Sequence, residues 1–186
     1  MSGALAPNGP KITLVGAGGM AFGPTMVNDV IKTPELAGSR LVLPSAQNTS
    51  YTVSLTVDDQ DGGVTTTTVL VQVLTNGADT LQLNPGTLPG NVGAVVVFGL
   101  GGDDLIVGGT LNAPPPSTDP AVLRYWQPTV SNPISIPLIV EGGAGMDSMI
   151  GGLGADDLTL AQGNDAAWGL AGADTYHLRP NSVLTV

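Results

Sequence analysis

Four consecutive nine-residue units, GGAGMDSMI, GGLGADDLT, LAQGNDAAW and GLAGADTYH, run without a gap from residue 142 to 177. Glycine holds the fourth place of each (Gly145, Gly154, Gly163, Gly172) and aspartate the sixth (Asp147, Asp156, Asp165, Asp174), while the eighth is Met149, Leu158, Ala167 or Tyr176. Glycine permits the positive-φ backbone of a tight turn, and the residues after the aspartate suit an extended step with one inward apolar side chain. Each unit is therefore predicted to be a turn followed by a short strand. Two units close one coil, so turns two units apart stack and bring Asp147 toward Asp165 and Asp156 toward Asp174. Carboxylates stacked this way repel one another unless a cation lies between them. The ligands on offer are oxygens alone, from aspartates and from the carbonyls of glycine-rich loops, and that set suits a hard dication such as calcium.

This grid resembles the RTX, or hemolysin-type, calcium-binding repeats, whose G-G-x-G-x-D-x-U-x unit builds a parallel β-roll. The resemblance implies Ca2+ held by Asp147, Asp156, Asp165 and Asp174 with loop carbonyls near Gly143, Gly145, Gly152, Gly154, Gly163 and Gly172. The first two units match fully. The third has Leu160 and Ala161 in place of the leading glycines and the fourth has Leu170 at its second place, so the glycine content favours Asp156/Asp174 over Asp147/Asp165. An earlier copy, GLGGDDLIV at 99–107, places Gly102, Asp104 and Ile106 at the same positions and adds Asp104 to the candidate ligands. A more degenerate one, LTNGADTLQ at 74–82, has Gly77, Asp79 and Leu81 there. Asp104 precedes Asp147 by 43 residues, not a multiple of nine, so unit 99–107 is expected to stand outside the register of the block unless the residues between them loop out. The resemblance further implies an extracellular or cell-surface protein whose repeats stay unfolded at cytoplasmic calcium and order at the millimolar level outside.

Charge supports a cation as partner. The chain of 186 residues has a formal net charge of -10, and of its fifteen acids thirteen are aspartate, with Glu35 and Glu141 the two glutamates. Exposed helices favour glutamate, so the acids belong mostly to turns. Such an excess argues against nucleic acid or an anionic membrane. Cysteine is absent, which excludes disulfides, thiolate metal sites and a cysteine nucleophile. The opening MSGALAPNGPK lacks the basic region and apolar core of a signal peptide, and no apolar run reaches the ~18 residues of a membrane span.

Residues 1–43 differ in character. KITLV reads as a strand, GAGGMAFG as a glycine turn, PTMVNDVIKT as a short helix beginning at Pro24, and SRLVL as a second strand, the opening of a Rossmann-like βαβ fragment. Residues 10–43 resemble the start of the family 4 glycoside hydrolases, which implies NAD- and metal-dependent hydrolysis of α-glycosides, with Gly16, Gly18 and Gly19 as candidates for a dinucleotide turn. The acid that should close the second strand is replaced by Pro44, Ser45 and Ala46, and the family's metal-site cysteine has no counterpart. NAD is therefore not expected to bind, and the alternative reading, a truncated or chimeric family 4 glycosidase, is of an inactive one.

In 44–98, YTVSLTV and VTTTTVLVQVL alternate around DDQDGG and predict a hairpin, with Tyr51, Val53, Leu55 and Val57 on one face and Val69, Val71 and Val73 inward. Residues 44–74 resemble the closing strands of a PKD or cadherin-like β-sandwich repeat. Residues 99–109 are taken as an isolated repeat, 110–137, with seven prolines, as an extended insertion, and 138–186 as the roll. Within the insertion LRYW and ISIPLIV are candidate strands, and Ile134, Ile136 and Ile139 are expected to cap the roll's N-terminal edge. The fold class expected is thus mainly β: a C-terminal parallel β-roll preceded by a hairpin or sandwich-like segment and the βαβ fragment. No catalytic residue is assigned. His177, the single histidine, has no nucleophile to serve and is expected to face solvent, and Trp126 and Trp168 suit either edge packing or a sugar platform.

Overall fold

The computed structural model describes residues 11–15, 20–21, 42–43, 48–58, 64–117 and 120–179. In chain order its strands are β1 (Lys11–Val15), β2 (Met20–Ala21), β3 (Val42–Leu43), β4 (Thr49–Asp58), β5 (Val64–Val73), β6 (Thr80–Gln82), β7 (Val92–Phe98), β8 (Leu105–Val107), β9 (Thr110–Leu111), β10 (Val130–Ser131), β11 (Leu138–Glu141), β12 (Ser148–Ile150), β13 (Asp157–Leu160), β14 (Ala166–Trp168) and β15 (Thr175–Leu178). From β5 onward the chain winds between two sheets. The larger is ordered β1-β4-β5-β7-β11-β13-β15 and the smaller β14-β12-β8-β6. Every neighbouring pair from β5 to β15 in the larger sheet, and every pair in the smaller, is parallel.

The eighth-place residues explain the winding. Ile106, Met149 and Ala167 pair in register along the smaller sheet, Leu158 pairs with Tyr176 in the larger, and the first four of these are fully buried. They meet Leu70, Leu83, Val95, Val97, Leu138, Val140 and Leu160 in a single core between the sheets. An alternating strand with one apolar face can satisfy that face only by lying across a second sheet, and each short turn carries the chain over to it.

Unit 99–107 is part of this stack. Leu105, Ile106 and Val107 pair with Ser148, Met149 and Ile150, and Thr80, Leu81 and Gln82 pair with the other side of β8. The intervening residues do loop out, leaving after β8 and re-entering at β11, so neither the expected boundary at 98 nor that at 109 interrupts the sheets. The excursion is not simply extended. Its helix α1 (Pro120–Leu123) and the antiparallel β9/β10 pair lay Leu123, Trp126, Leu111 and Val130 over Val107, Ile150, Ala166 and Trp168, covering the outer face of the smaller sheet. LRYW is therefore the end of α1 and the turn after it, because its apolar residues answer that exposed face.

Three further expectations change. Ile134 does not cap the roll's N-terminal edge: it is fully buried in the central core, Ile136 packs partly against it, Ile139 lies on the opposite face of the larger sheet, and β7, β5 and β4 continue that sheet beyond β11. The hairpin is present, with β4 and β5 antiparallel from Thr49↔Val73 to Asp58↔Val64. Val69, Val71 and Val73, however, pack with Val53, Val96 and Tyr51 on the face away from the roll interior, and Leu70 fills the interior. Strands buried on both faces read as continuous apolar runs, as VVVF in β7 does. Lastly, KITLV forms β1 but pairs antiparallel with β4, and β3 pairs antiparallel with β2, not as parallel strands of a βαβ unit. The open edge of β4 offers unpaired backbone groups to any extended neighbour, and β1 takes it. The helix expected from Pro24, and Gly16, Gly18 and Gly19, lie outside the described residues.

Candidate metal centre

The turns fall on two edges of the roll. On the first, Asp79, Asp104, Asp147 and Asp165 form a ladder in which the N–H of each donates to Oδ1 of the next: Asp79 to Asp104 at 2.9 Å, Asp104 to Asp147 at 3.0 Å and Asp147 to Asp165 at 3.1 Å. Backbone bonds interlock the turns, among them Gly102 N–H to the Ala144 carbonyl, Gly145 N–H to that of Gln162, and Gln162 N–H to that of Gly143. On the second edge Asp156 N–H donates to Asp174 Oδ1 at 3.0 Å. Sequence spacing brought Asp147 to Asp165 and Asp156 to Asp174, and the structure places both pairs so.

Glycine is required by the closeness of these turns. Gly145, Gly163 and Gly172 have φ of 145, 144 and 125°, and a Cβ on each would run into the carbonyl of Gly102, Gly145 and Gly154 respectively. A Cβ at Gly99 or Gly142, the first place of its unit, would crowd Oδ2 of Asp104 or Asp147, at 2.7 and 2.6 Å. The missing side chain leaves room beside each carboxylate. Of the carbonyls predicted to serve, those of Gly143, Gly145 and Gly163 belong to the first edge and those of Gly152, Gly154 and Gly172 to the second, where Gly152 accepts from Ala171 N–H at 3.2 Å.

The electrostatics of the two edges differ. Asp104, Asp147 and Asp165 are 2, 1 and 0 % exposed, and the Oδ2 of each is buried with no hydrogen-bond partner. A buried ionised oxygen without a partner is costly. Burial accordingly pushes the Asp104 carboxyl up to about 7 and that of Asp147 to about 6, with neighbouring carboxylates adding to the rise, and raises Asp165 in the same direction. Asp156 is as deeply buried and its carboxyl is also raised, mainly by burial, but Oδ1 accepts from Leu138 N–H at 2.8 Å and Oδ2 from Gly152 N–H at 2.7 Å.

A calcium ion fits the first edge by the chemistry of what is present: three orphaned buried carboxylate oxygens, only oxygen donors nearby, and space that a Cβ would fill. Among the described residues no three carboxylate or imidazole groups converge on one point, so an ion there must draw on backbone carbonyls as well.

Asp79 is the residue that the sequence ligand set omitted. The signal was present in Gly77, Asp79 and Leu81, but only the pairing of β6 with β8 shows that this turn begins the ladder. Asp103 also matters, because its Oδ1 accepts from Met146 N–H at 2.9 Å and ties two successive turns together. Away from both edges, His177 Nε2 sits 2.9 Å from Asp157 on the outer face of the larger sheet, half exposed. Trp126, from the insertion, meets Trp168 of β14 edge to face at 5.1 Å.

The RTX calcium-binding nonapeptide repeat, in four copies, matches residues 86–112 and 139–177. Those segments contain the turns of Asp104, Asp147, Asp156, Asp165 and Asp174. With the coiled parallel strands they make this part of the chain a calcium-binding β-roll. No curated protein matches the chain, and no helix among the described residues is long and apolar enough to cross a membrane.

Proposed function

We propose that this chain is a noncatalytic module of a secreted or cell-surface protein, whose roll is ordered by calcium taken up between stacked turns. The intervals Asp104/Asp147 and Asp147/Asp165 are the principal sites, Asp156/Asp174 a further one, and the remaining ligands are turn carbonyls of the glycines on the same edge. The observation that carries this reading is the set of three buried, unpartnered Oδ2 atoms along one edge. A bound dication supplies the positive charge that these oxygens lack.

Folding and binding then share one free energy. Without the ion, burying three carboxylates is unfavourable and a glycine-rich chain loses much conformational freedom on ordering. At the low calcium of a cytoplasm the roll is only marginally stable, and at extracellular levels the ion completes its ordering, which suits export before full folding.

Circular dichroism and titration calorimetry of the whole chain test this. A gain of β signal is expected between EGTA and about 1 to 10 mM calcium, the range of extracellular modules, with heat of binding. An unchanged spectrum with no heat would overturn the proposal.

A further inference from the structure

The first turn of the ladder is built differently from those beneath it. Asp79 Oδ2 accepts two hydrogen bonds, each 2.7 Å, from the N–H and the hydroxyl of Thr75. The same hydroxyl oxygen accepts from Gly77 N–H at 3.1 Å, so turn 75–79 is closed by its own groups. The corresponding oxygens of Asp104, Asp147 and Asp165 have no partner. Thr75 stands at the second place of its unit, where the other turns of this edge carry Leu100, Gly143 and Ala161, none of which has a hydroxyl.

This turn nevertheless docks as the others do. Asp79 N–H donates to Asp104 Oδ1, Leu105 N–H donates to the Asp79 carbonyl at 2.9 Å, and β6 runs parallel and in register with β8. It also lies before residue 86, where the matched repeats begin.

We infer that Thr75 is a positioning residue that makes unit 74–82 a calcium-independent first coil, holding the Asp104 turn in its ligating form before any ion arrives. The inference deepens the calcium-ladder reading and rests on it. A hydroxyl and an amide satisfy the Asp79 carboxylate in place of a dication, because hydrogen bonds to the charged form stabilise it. The ordering cost of this turn is met during folding and not during binding, which lowers the cost of the first calcium. Asp79 N–H fixes Asp104 Oδ1 from above and leaves Oδ2 for the ion, so the ladder fills from its N-terminal end.

The test uses the whole chain, its Thr75→Val variant, which removes the hydroxyl at nearly constant shape, and Thr75→Ser, which keeps it. Residue-resolved hydrogen exchange in EGTA reads the amides of Asp79 and Leu105, and calorimetry reads calcium affinity and stoichiometry. Both amides of the unaltered chain are expected to be protected without calcium. In Thr75→Val their protection falls by about tenfold to a hundredfold and the calcium midpoint rises by a similar factor, the effect of one lost hydrogen bond to a charged group, with the number of ions unchanged. Thr75→Ser restores both. A drop of one ion in Thr75→Val would place Thr75 in a metal site and overturn the inference. So would unprotected amides in the unaltered chain, unchanged protection and midpoint in Thr75→Val, or failure of Thr75→Ser to restore them. Absence of any calcium uptake by the unaltered chain defeats the ladder reading itself and is distinguishable from all of these.

Discussion

The two edges of the roll are made from the same repeat and reach opposite solutions to the same problem. Each buries aspartates within stacked turns. On the second edge Asp156 has both oxygens satisfied, by Gly152 N–H from its own turn and Leu138 N–H from the returning insertion. On the first edge Asp104, Asp147 and Asp165 each keep one oxygen bare. The difference lies within the turn: on both edges Oδ1 accepts from an amide of the chain stacked above, but the Asp156 turn also directs its own Gly152 N–H onto Oδ2, whereas the turns of Asp104, Asp147 and Asp165 leave Oδ2 bare. A repeat thus becomes a structural brace or a cation seat according to where its own turn points its amide, which teaches that matching the motif is insufficient to rank sites.

The largest effect should separate the edges by sign. Asp147→Asn removes a ligand from two successive intervals, so calorimetry should show fewer ions bound and most of the calcium-induced rise in melting temperature lost. In EGTA the same variant should melt no lower than the unaltered chain, because it relieves a buried charge while keeping an acceptor for Asp104 N–H. Asp156→Ala should behave oppositely, losing about 2 to 4 kcal/mol in EGTA by denaturant unfolding, since two buried amides are left unpaired. Equal losses for both variants in EGTA would erase the distinction between the edges.

Backbone closeness gives the next largest. Gly163→Ala places a Cβ against the Gly145 carbonyl at a left-handed φ, and should cost about 2 kcal/mol or more with or without calcium. Gly90→Ala, where a Cβ meets nothing within 4 Å, should change stability by about 0.5 kcal/mol or less in the same unfolding experiment.

The pH dependence sharpens the comparison further. The Asp104 and Asp147 carboxyls titrate in the fold near 7 and 6 and in the unfolded chain near 3.8, so between these values the fold holds protons that the unfolded chain has released. Stability of the calcium-free fold therefore falls as pH rises from about 4 through about 7. Calcium binding competes with those protons, so at pH 6 calorimetry in buffers of different ionisation heat should show proton release on binding, less at pH 8. The smallest effect should come from His177→Gln. Its contact with Asp157 lies on an exposed face outside both edges, and the melting temperature should shift by the equivalent of about 0.5 kcal/mol or less.

Much of the roll was legible because its rule is local. The glycine at place four, the aspartate at six and the apolar residue at eight determine a turn, a ligand and an inward side chain, and Met149, Leu158 and Ala167 are all fully buried as that rule requires. The joining of unit 99–107 was not legible, since its spacing of 43 residues carries no sign of where the intervening chain goes. Nor was the burial of the valines of β5 on the outer face, because alternation states that two faces differ without stating which of them the second sheet covers.

The sequence by itself determined the turn-and-strand unit, the oxygen-only ligand set and the pairing of aspartates two units apart. Each follows from backbone geometry and charge within a few residues. Only the tertiary structure decided that the ladder begins at Asp79, that the insertion folds back over the smaller sheet, and that the first edge holds the unpartnered oxygens although the second has more of the expected glycines per turn. The first two depend on contacts between distant parts of the chain, and the third on whether each turn directs its own amide onto Oδ2. Burial then decides which carboxylates are left in need of a cation.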